Sequence, residues 1–210
     1  MRRARAGVAL VVASVFALAG CFELAAIGVG AAIVSAEDRR TTGTQIEDEG
    51  IELRAANRIS ERFRDKVHVN VTAYNRNVLL TGEAPDAQTR EAIERIVRGL
   101  PNVRAVTNDI QIAGVSSLSA RASDAALTGK VKARFLEAGK FSPVHVKVVT
   151  EASVVYLLGI VTEKEAADAV EIARTTRGVR KVVKVFEYCA PTDEICRPRA
   201  AAPAAESARP

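Results

Sequence analysis

The chain has 210 residues, 48% of them hydrophobic but only 4% aromatic and none tryptophan, so it suffices for one medium core or two small, mainly aliphatic ones. Its formal charge of +5 falls to +2 (27 − 25) once Arg2, Arg3 and Arg5 near the N-terminus are set aside. No Lys/Arg cluster is interleaved with aromatics, which argues against nucleic acid as a partner.

Residues 1–20 pass from a basic start, MRRAR, into an apolar stretch, GVALVVASVFALAG. That is the layout of a secretory signal, and it is short for a membrane span. Leu18-Ala19-Gly20-Cys21 resembles the bacterial lipobox, whose cysteine becomes the first mature residue and carries lipid. Buried acyl chains contribute about 0.8 kcal/mol per methylene, so several together hold a soluble domain on a bilayer. Phe22 stands where bacterial lipoproteins carry an aspartate for inner-membrane retention, which implies export to the outer membrane. The run LAAIGVGAAIV (24–34) is about half a spanning length and reads as a tether within a lipidated segment 21–45.

The rest of the chain repeats itself. Shifted by 77 positions, VHVNV (67–71) falls on VHVKV (144–148) and VLLTG (78–82) on VYLLG (155–159); NVRAVTNDIQI (102–112) matches GVRKVVKVFEY (178–188) after a one-residue gap. Each copy opens with a helical pattern, Ala56/Ile59/Phe63 or Leu127/Val131/Phe135. Two alternating runs follow, Val67/Val69/Val71 with Val78/Leu80 and Val144/Val146/Val148 with Val155/Leu157. Asn75-Arg76-Asn77 and Ala152-Ser153 sit where hairpin turns belong, and Gly82 and Gly159 suit a close backbone approach. Second helices start at an acidic cap, Pro85-Asp86, and at a capping box, Thr162 to Glu165. Their inward positions are Ile93, Ile96, Val97 and Leu100, against Ala166, Val170 and Ala173. A last strand follows at 103–112 and 179–188. The order α-β-β-α-β predicts an α+β sandwich in each copy, a three-stranded mixed sheet with two helices on one face.

This unit resembles the BON domain. Tandem copies behind a lipobox resemble the dual-BON outer-membrane lipoproteins of the DolP (YraP) family. The resemblance runs through DRRTTGTQIEDEGIELR (38–54), VNVTAYNRNVLLTGEAP (69–85) and VYLLGIVTEKEAADAVEIARTTRGVRKV (155–182). The expected organisation is a signal peptide at 1–20, the tether at 21–45, a first BON domain at 46–114, a linker at 115–121, a second BON domain at 122–189 and a disordered Ala/Pro-rich tail at 190–210.

Catalytic chemistry finds little support. His68 and His145 are the only histidines and occupy one repeated position, on the outward side of the first strand of each copy. Repetition argues for a structural role. No phosphate loop, nucleophile elbow or metal-ligand spacing occurs, so no cofactor, metal or enzyme activity is expected. Cys189 and Cys196 suit a local disulfide, which export permits, or part of a metal site; two thiolates without histidine fall short of the usual four ligands, which favours the disulfide.

Charge separates the copies: residues 46–112 carry 10 basic and 11 acidic side chains, residues 120–188 carry 12 and 8. Much of the excess, Lys130, Lys132, Arg134 and Lys140, lies on or just after the first helix of copy two. A solvated basic face beside a core stripe gives the same pattern, but it also suits an anionic bilayer, where each basic residue contributes about 1 kcal/mol. The resemblance implies binding of anionic phospholipid through that helix, here 124–137, with support of outer-membrane integrity and links to the outer-membrane protein assembly machinery and to division sites. The implied contact residues are Ala126, Leu127, Lys130, Val131, Lys132 and Arg134. The family's helix can present an aromatic near its start. This chain has Ala125-Ala126-Leu127 there, which leaves the apolar contact to Leu127. The alternative expectation is a periplasmic adaptor that binds the assembly machinery, with lipid contact incidental.

Overall fold

The structure is a computed structural model that describes residues 38–197. The leader, Cys21, the run 24–34 and residues 198–210 lie outside the described residues. From Arg39 on, the described chain forms one compact unit holding two copies of the same layout.

The first copy comprises α1 (Thr42–Phe63), β1 (His68–Tyr74), β2 (Asn77–Ala84), α2 (Ala87–Arg98), β3 (Ala105–Asn108) and β4 (Gln111–Ile112). The second comprises α3 (Leu118–Ala138), β5 (Lys147–Glu151), β6 (Val154–Val161), α4 (Glu163–Arg174) and β7 (Lys181–Tyr188). In each, an antiparallel hairpin is extended by a parallel last strand, which makes the middle strand central. The predicted mixed sheets are therefore present. The first has its last strand split into β3 and β4 at Asp109–Ile110, where the Ile110 N–H turns to the Asn108 side chain while Ile110 enters the core.

Both helices of each copy cover one sheet face. Ile51, Ala55 and Ile59 of α1 and Ile93 and Val97 of α2 pack on Ala73, Val78 and Leu80; Val131, Phe135, Ala169 and Ile172 pack on Val148, Val155 and Leu157. Ala56 is exposed, because the buried stripe of α1 runs through Ala55. The helix starts are fixed by side-chain caps. Thr41, Asp86, Ser117 and Thr162 each accept an N–H three residues on, and Glu165 completes the capping box with Thr162. These caps shift the expected boundaries. Residues 42–45 belong to α1 instead of a tether, and α3 begins inside the expected linker 115–121. The first part of the expected tail is also ordered, with a 3-10 turn at Glu194–Cys196. Another 3-10 turn, Pro143–His145, takes the place of the start of the expected strand, so β5 begins only at Lys147.

The hairpin turns have positive φ at both central residues, 50° and 65° at Asn75-Arg76 and 49° and 61° at Ala152-Ser153. None is glycine, so the turns need outside support. It comes from a buried aspartate on the first helix of each copy. Asp48 accepts the N–H groups of Asn75 and Arg76 at 2.8 and 2.6 Å, and Asp124 those of Ala152 and Ser153 at 2.9 Å each. Gly82 and Gly159 serve close approach: a Cβ would sit 2.0 Å from the His68 carbonyl oxygen in one copy and 2.2 Å from that of His145 in the other.

The side chains pointing away from the helices are not left to solvent. Tyr74 and Leu79 of the first sheet join Tyr156, Leu158 and Ile160 of the second in a third buried cluster. Around it, Lys147 donates to Glu52 at 2.8 Å, Tyr156 Oη to Asp109 at 2.6 Å, and Asn75 and Asn77 to Glu187. Burial, followed by that bond to Asp109, pushes the Tyr156 phenol well above its ordinary pKa.

Candidate functional site

Helix α3 places the six implied lipid contacts on different sides. Ala126, Lys130 and Lys132 are exposed. Leu127 is only 6% exposed and Val131 0%, both in the stripe that packs beneath the helix. Leu127 therefore does not supply the apolar contact expected of it; it reaches towards Gly178, where an added Cβ would meet it at 3.4 Å. Arg134 is also engaged. Its Nη1 donates to the Ile172 carbonyl at 2.8 Å and to the Thr175 and Thr176 hydroxyls at 3.1 and 2.9 Å, holding the C-terminal end of α4.

The solvent face carries a different set. At helical spacing, Leu118, Ala122, Ala125, Gly129, Lys132 and Leu136 form one exposed stripe on the side opposite Leu127 and Val131. Leu118 is 80% exposed and Leu136 69%, and the residues between the leucines are small except Lys132. Lys130 is exposed on the flank of the helix, about 120° round from the two leucines. Leu118 lies outside the expected helix 124–137, and Leu136 lies off the core stripe that the apolar spacing marks. Among the described residues no helix is long and apolar enough to cross a membrane.

The repeated histidines have unlike surroundings. His145 Nδ1 lies 3.1 Å from Glu165 Oε1, and Arg39 makes a two-pronged pair with the same carboxylate at 2.7 and 3.0 Å while donating to the Ile160 carbonyl. Burial would raise the Glu165 carboxyl, but the hydrogen bonds from Arg39 and Thr162 outweigh it and hold the group at about 2. Cys189 and Cys196 are joined by a disulfide with their Cα atoms 6.2 Å apart, and the Cys196 carbonyl faces the Arg39 guanidinium at 3.4 Å.

His68 is half-buried and faces the second copy. It lies directly across the hairpin from Glu83, and Glu151 at the end of β5 closes on both, so that one ligand atom from each lies within 4.8 Å of the others. Glu83 is 7% exposed and Glu151 5%. Burial pushes the Glu151 carboxyl up, a hydrogen bond from Asn70 at 2.6 Å opposing it. Burial also lowers the His68 pKa, which favours neutral imidazole. Sequence reading placed no metal ligands here, since the three residues come from three strands with no local spacing.

A family model, the BON domain, matches residues 47–114 and 123–190. The Outer membrane lipoprotein DolP of Haemophilus influenzae is 36% identical over 183 residues, covering 86% of this chain and 94% of that protein. The chain belongs to the dual-BON DolP family of outer-membrane lipoproteins. The 21 kDa hemolysin of Actinobacillus pleuropneumoniae is 34% identical to this chain over 153 residues, covering 72% of this chain and 79% of that protein. Among solved structures, CdsD, a structural protein of the type III secretion system of Chlamydia trachomatis, aligns at a TM-score of 0.28 and 13% identity, covering 69% of this chain and 92% of that one. So low a score carries no argument. Neither DolP nor the BON domain is known as an enzyme.

Proposed function

We propose that this DolP-family protein is a non-enzymatic, phospholipid-binding lipoprotein. The solvent face of α3 rests on the anionic periplasmic surface of the outer membrane, and this contact helps maintain envelope integrity. The observation that carries the reading is the exposed stripe from Leu118 to Leu136, with a leucine at each end and Ala122, Ala125, Gly129 and Lys132 between, together with exposed Lys130 on the flank of the helix. Small side chains let the helix lie flat, so both leucines reach the interface together. Two lysines near an anionic surface contribute about 2 kcal/mol, and each leucine up to about 1.5–3 kcal/mol if fully buried. That is weak binding by itself. Weak binding is enough where lipid on Cys21 already supplies location, and the helix then adds a preference for anionic headgroups.

Vesicle co-sedimentation of a fragment starting at residue 36, which lacks Cys21, tests this. The compact unit from Arg39 on contains all three buried clusters, so the fragment retains them. The expected result is binding to phosphatidylglycerol vesicles, none to phosphatidylcholine, weakening with salt and loss in a Lys130→Glu, Lys132→Glu double variant. Absence of binding at low salt contradicts the reading and leaves the adaptor for the assembly machinery.

A further inference from the structure

We propose that His68, Glu83 and Glu151 form a binding site for a divalent transition-metal ion, zinc foremost, that bridges the two BON domains. The donor set is one imidazole nitrogen and two carboxylate oxygens, all within 4.8 Å of one another. A zinc ion bound at about 2.0–2.2 Å from each needs only a small closing movement. The three donors come from rigid positions: His68 and Glu83 are paired across the β1–β2 hairpin, and Glu151 ends β5.

The donor set has the chemistry of a cation site. Both carboxylates are more than nine-tenths buried, and among the described residues neither makes an ion pair. Glu83 receives a single hydrogen bond, from the Ser116 N–H at 3.2 Å to Oε2, and Glu151 a single one, from Asn70 to Oε2. One oxygen of each, and both ring nitrogens of His68, are without a hydrogen bond among the described residues. Arg121 is the nearby cation, but its guanidinium donates to the Ser116 hydroxyl and carbonyl. The Glu83 charge lies close enough to Glu151 to oppose its ionisation, which a bound cation would relieve. Asn70 and Ser116 N–H orient the carboxylates, as outer partners of metal ligands do. Half-buried His68 and exposed Asn70 leave a way in.

The second copy does not repeat the site. On the shift of 77, Ile160 stands in place of Glu83, and His145 is taken up by Glu165 and Arg39. The asymmetry assigns the metal to the joint between the domains, where binding ties β1 and β2 to β5.

Zinc chloride is the probe. Full-length protein in detergent micelles, stripped of metal and freed of chelator, is titrated by calorimetry, and the loaded protein is measured by zinc K-edge X-ray absorption. The expected result is one ion per chain, with one imidazole and oxygen ligands. Glu151→Gln, which keeps the side-chain shape, and His68→Asn each weaken binding by at least about tenfold, whereas His145→Asn leaves it unchanged. Zinc also raises the unfolding temperature of the parent protein and not of Glu151→Gln. Lack of saturable binding overturns the proposal, as does a spectrum without imidazole or with sulfur ligands. Binding that survives Glu151→Gln at full strength overturns it too.

Discussion

Asp48 and Asp124 carry the turns of their hairpins from a distance of 27 to 29 residues. The cost of removing either follows from burial, since each satisfies two backbone donors that would otherwise be orphaned at positive φ. Asp124→Ala is expected to cost about 2–3 kcal/mol, read as a lower urea midpoint at unchanged slope. A loss below about 0.5 kcal/mol, the size of an ordinary surface substitution, contradicts the role. The turns were legible from Asn75-Arg76-Asn77 and Ala152-Ser153, and so was the need for glycine at 82 and 159. The aspartates were not, because an acidic residue on a helix reads as solvated and a bond to a turn far along the chain leaves no local spacing. His68 and Glu83 escaped for a related reason. Alternation along β1 and β2 identifies the faces, but only the arrival of a second sheet turns a polar face into an interior one.

At the scale of the element, α3 shows what periodicity conveys and what it leaves open. The spacing of Leu127, Val131 and Phe135 marks a buried stripe, yet Leu127 and Val131 also stand among the expected lipid contacts. A helix in which Lys and Arg interleave with apolar residues has more than one arc that could be wet. Burial of Leu127 and Val131, with Arg134 bonded to the end of α4, leaves Leu118 and Leu136 as the free apolar ends. Arg134→Ala is therefore expected to lower the unfolding temperature while leaving vesicle binding at its parent level once the variant is folded. A selective loss of vesicle binding with stability intact would place Arg134 at the lipid instead. The N-terminus of α4 carries a pH dependence. Glu165 is held at about 2 against an ordinary 4.5, so it stabilises the fold fully above about 4.5 and loses that contribution as pH falls towards 2. Urea midpoints measured down this range are expected to fall less steeply for Glu165→Gln than for the parent; identical slopes would show that the Arg39 clasp contributes nothing.

For the whole molecule, two units of a size that folds alone only marginally share a buried cluster made from the faces their helices do not cover. The repeat and the layout of each copy were legible because they are written in local patterns. The docking of one copy on the other was not, because Tyr74, Leu79, Tyr156 and Leu158 read as ordinary strand positions until the two sheets meet. One cooperative unfolding transition is expected, with Leu158→Ala lowering both copies together by about 2–5 kcal/mol; two separated transitions in the parent protein would contradict a shared core. Within the described residues, the unit from Arg39 on keeps its two sheets against each other and leaves the outer face of α3 exposed. The most direct test of that account is residue-resolved: amide NMR of the fragment from residue 36 on addition of anionic phosphatidylglycerol bicelles. The account predicts shift changes and lipid-proton contacts concentrated at Leu118, Ala122, Ala125, Gly129, Lys132 and Leu136. Contacts that map instead to the edges of β1 or β7, or spread evenly over the surface, would contradict it.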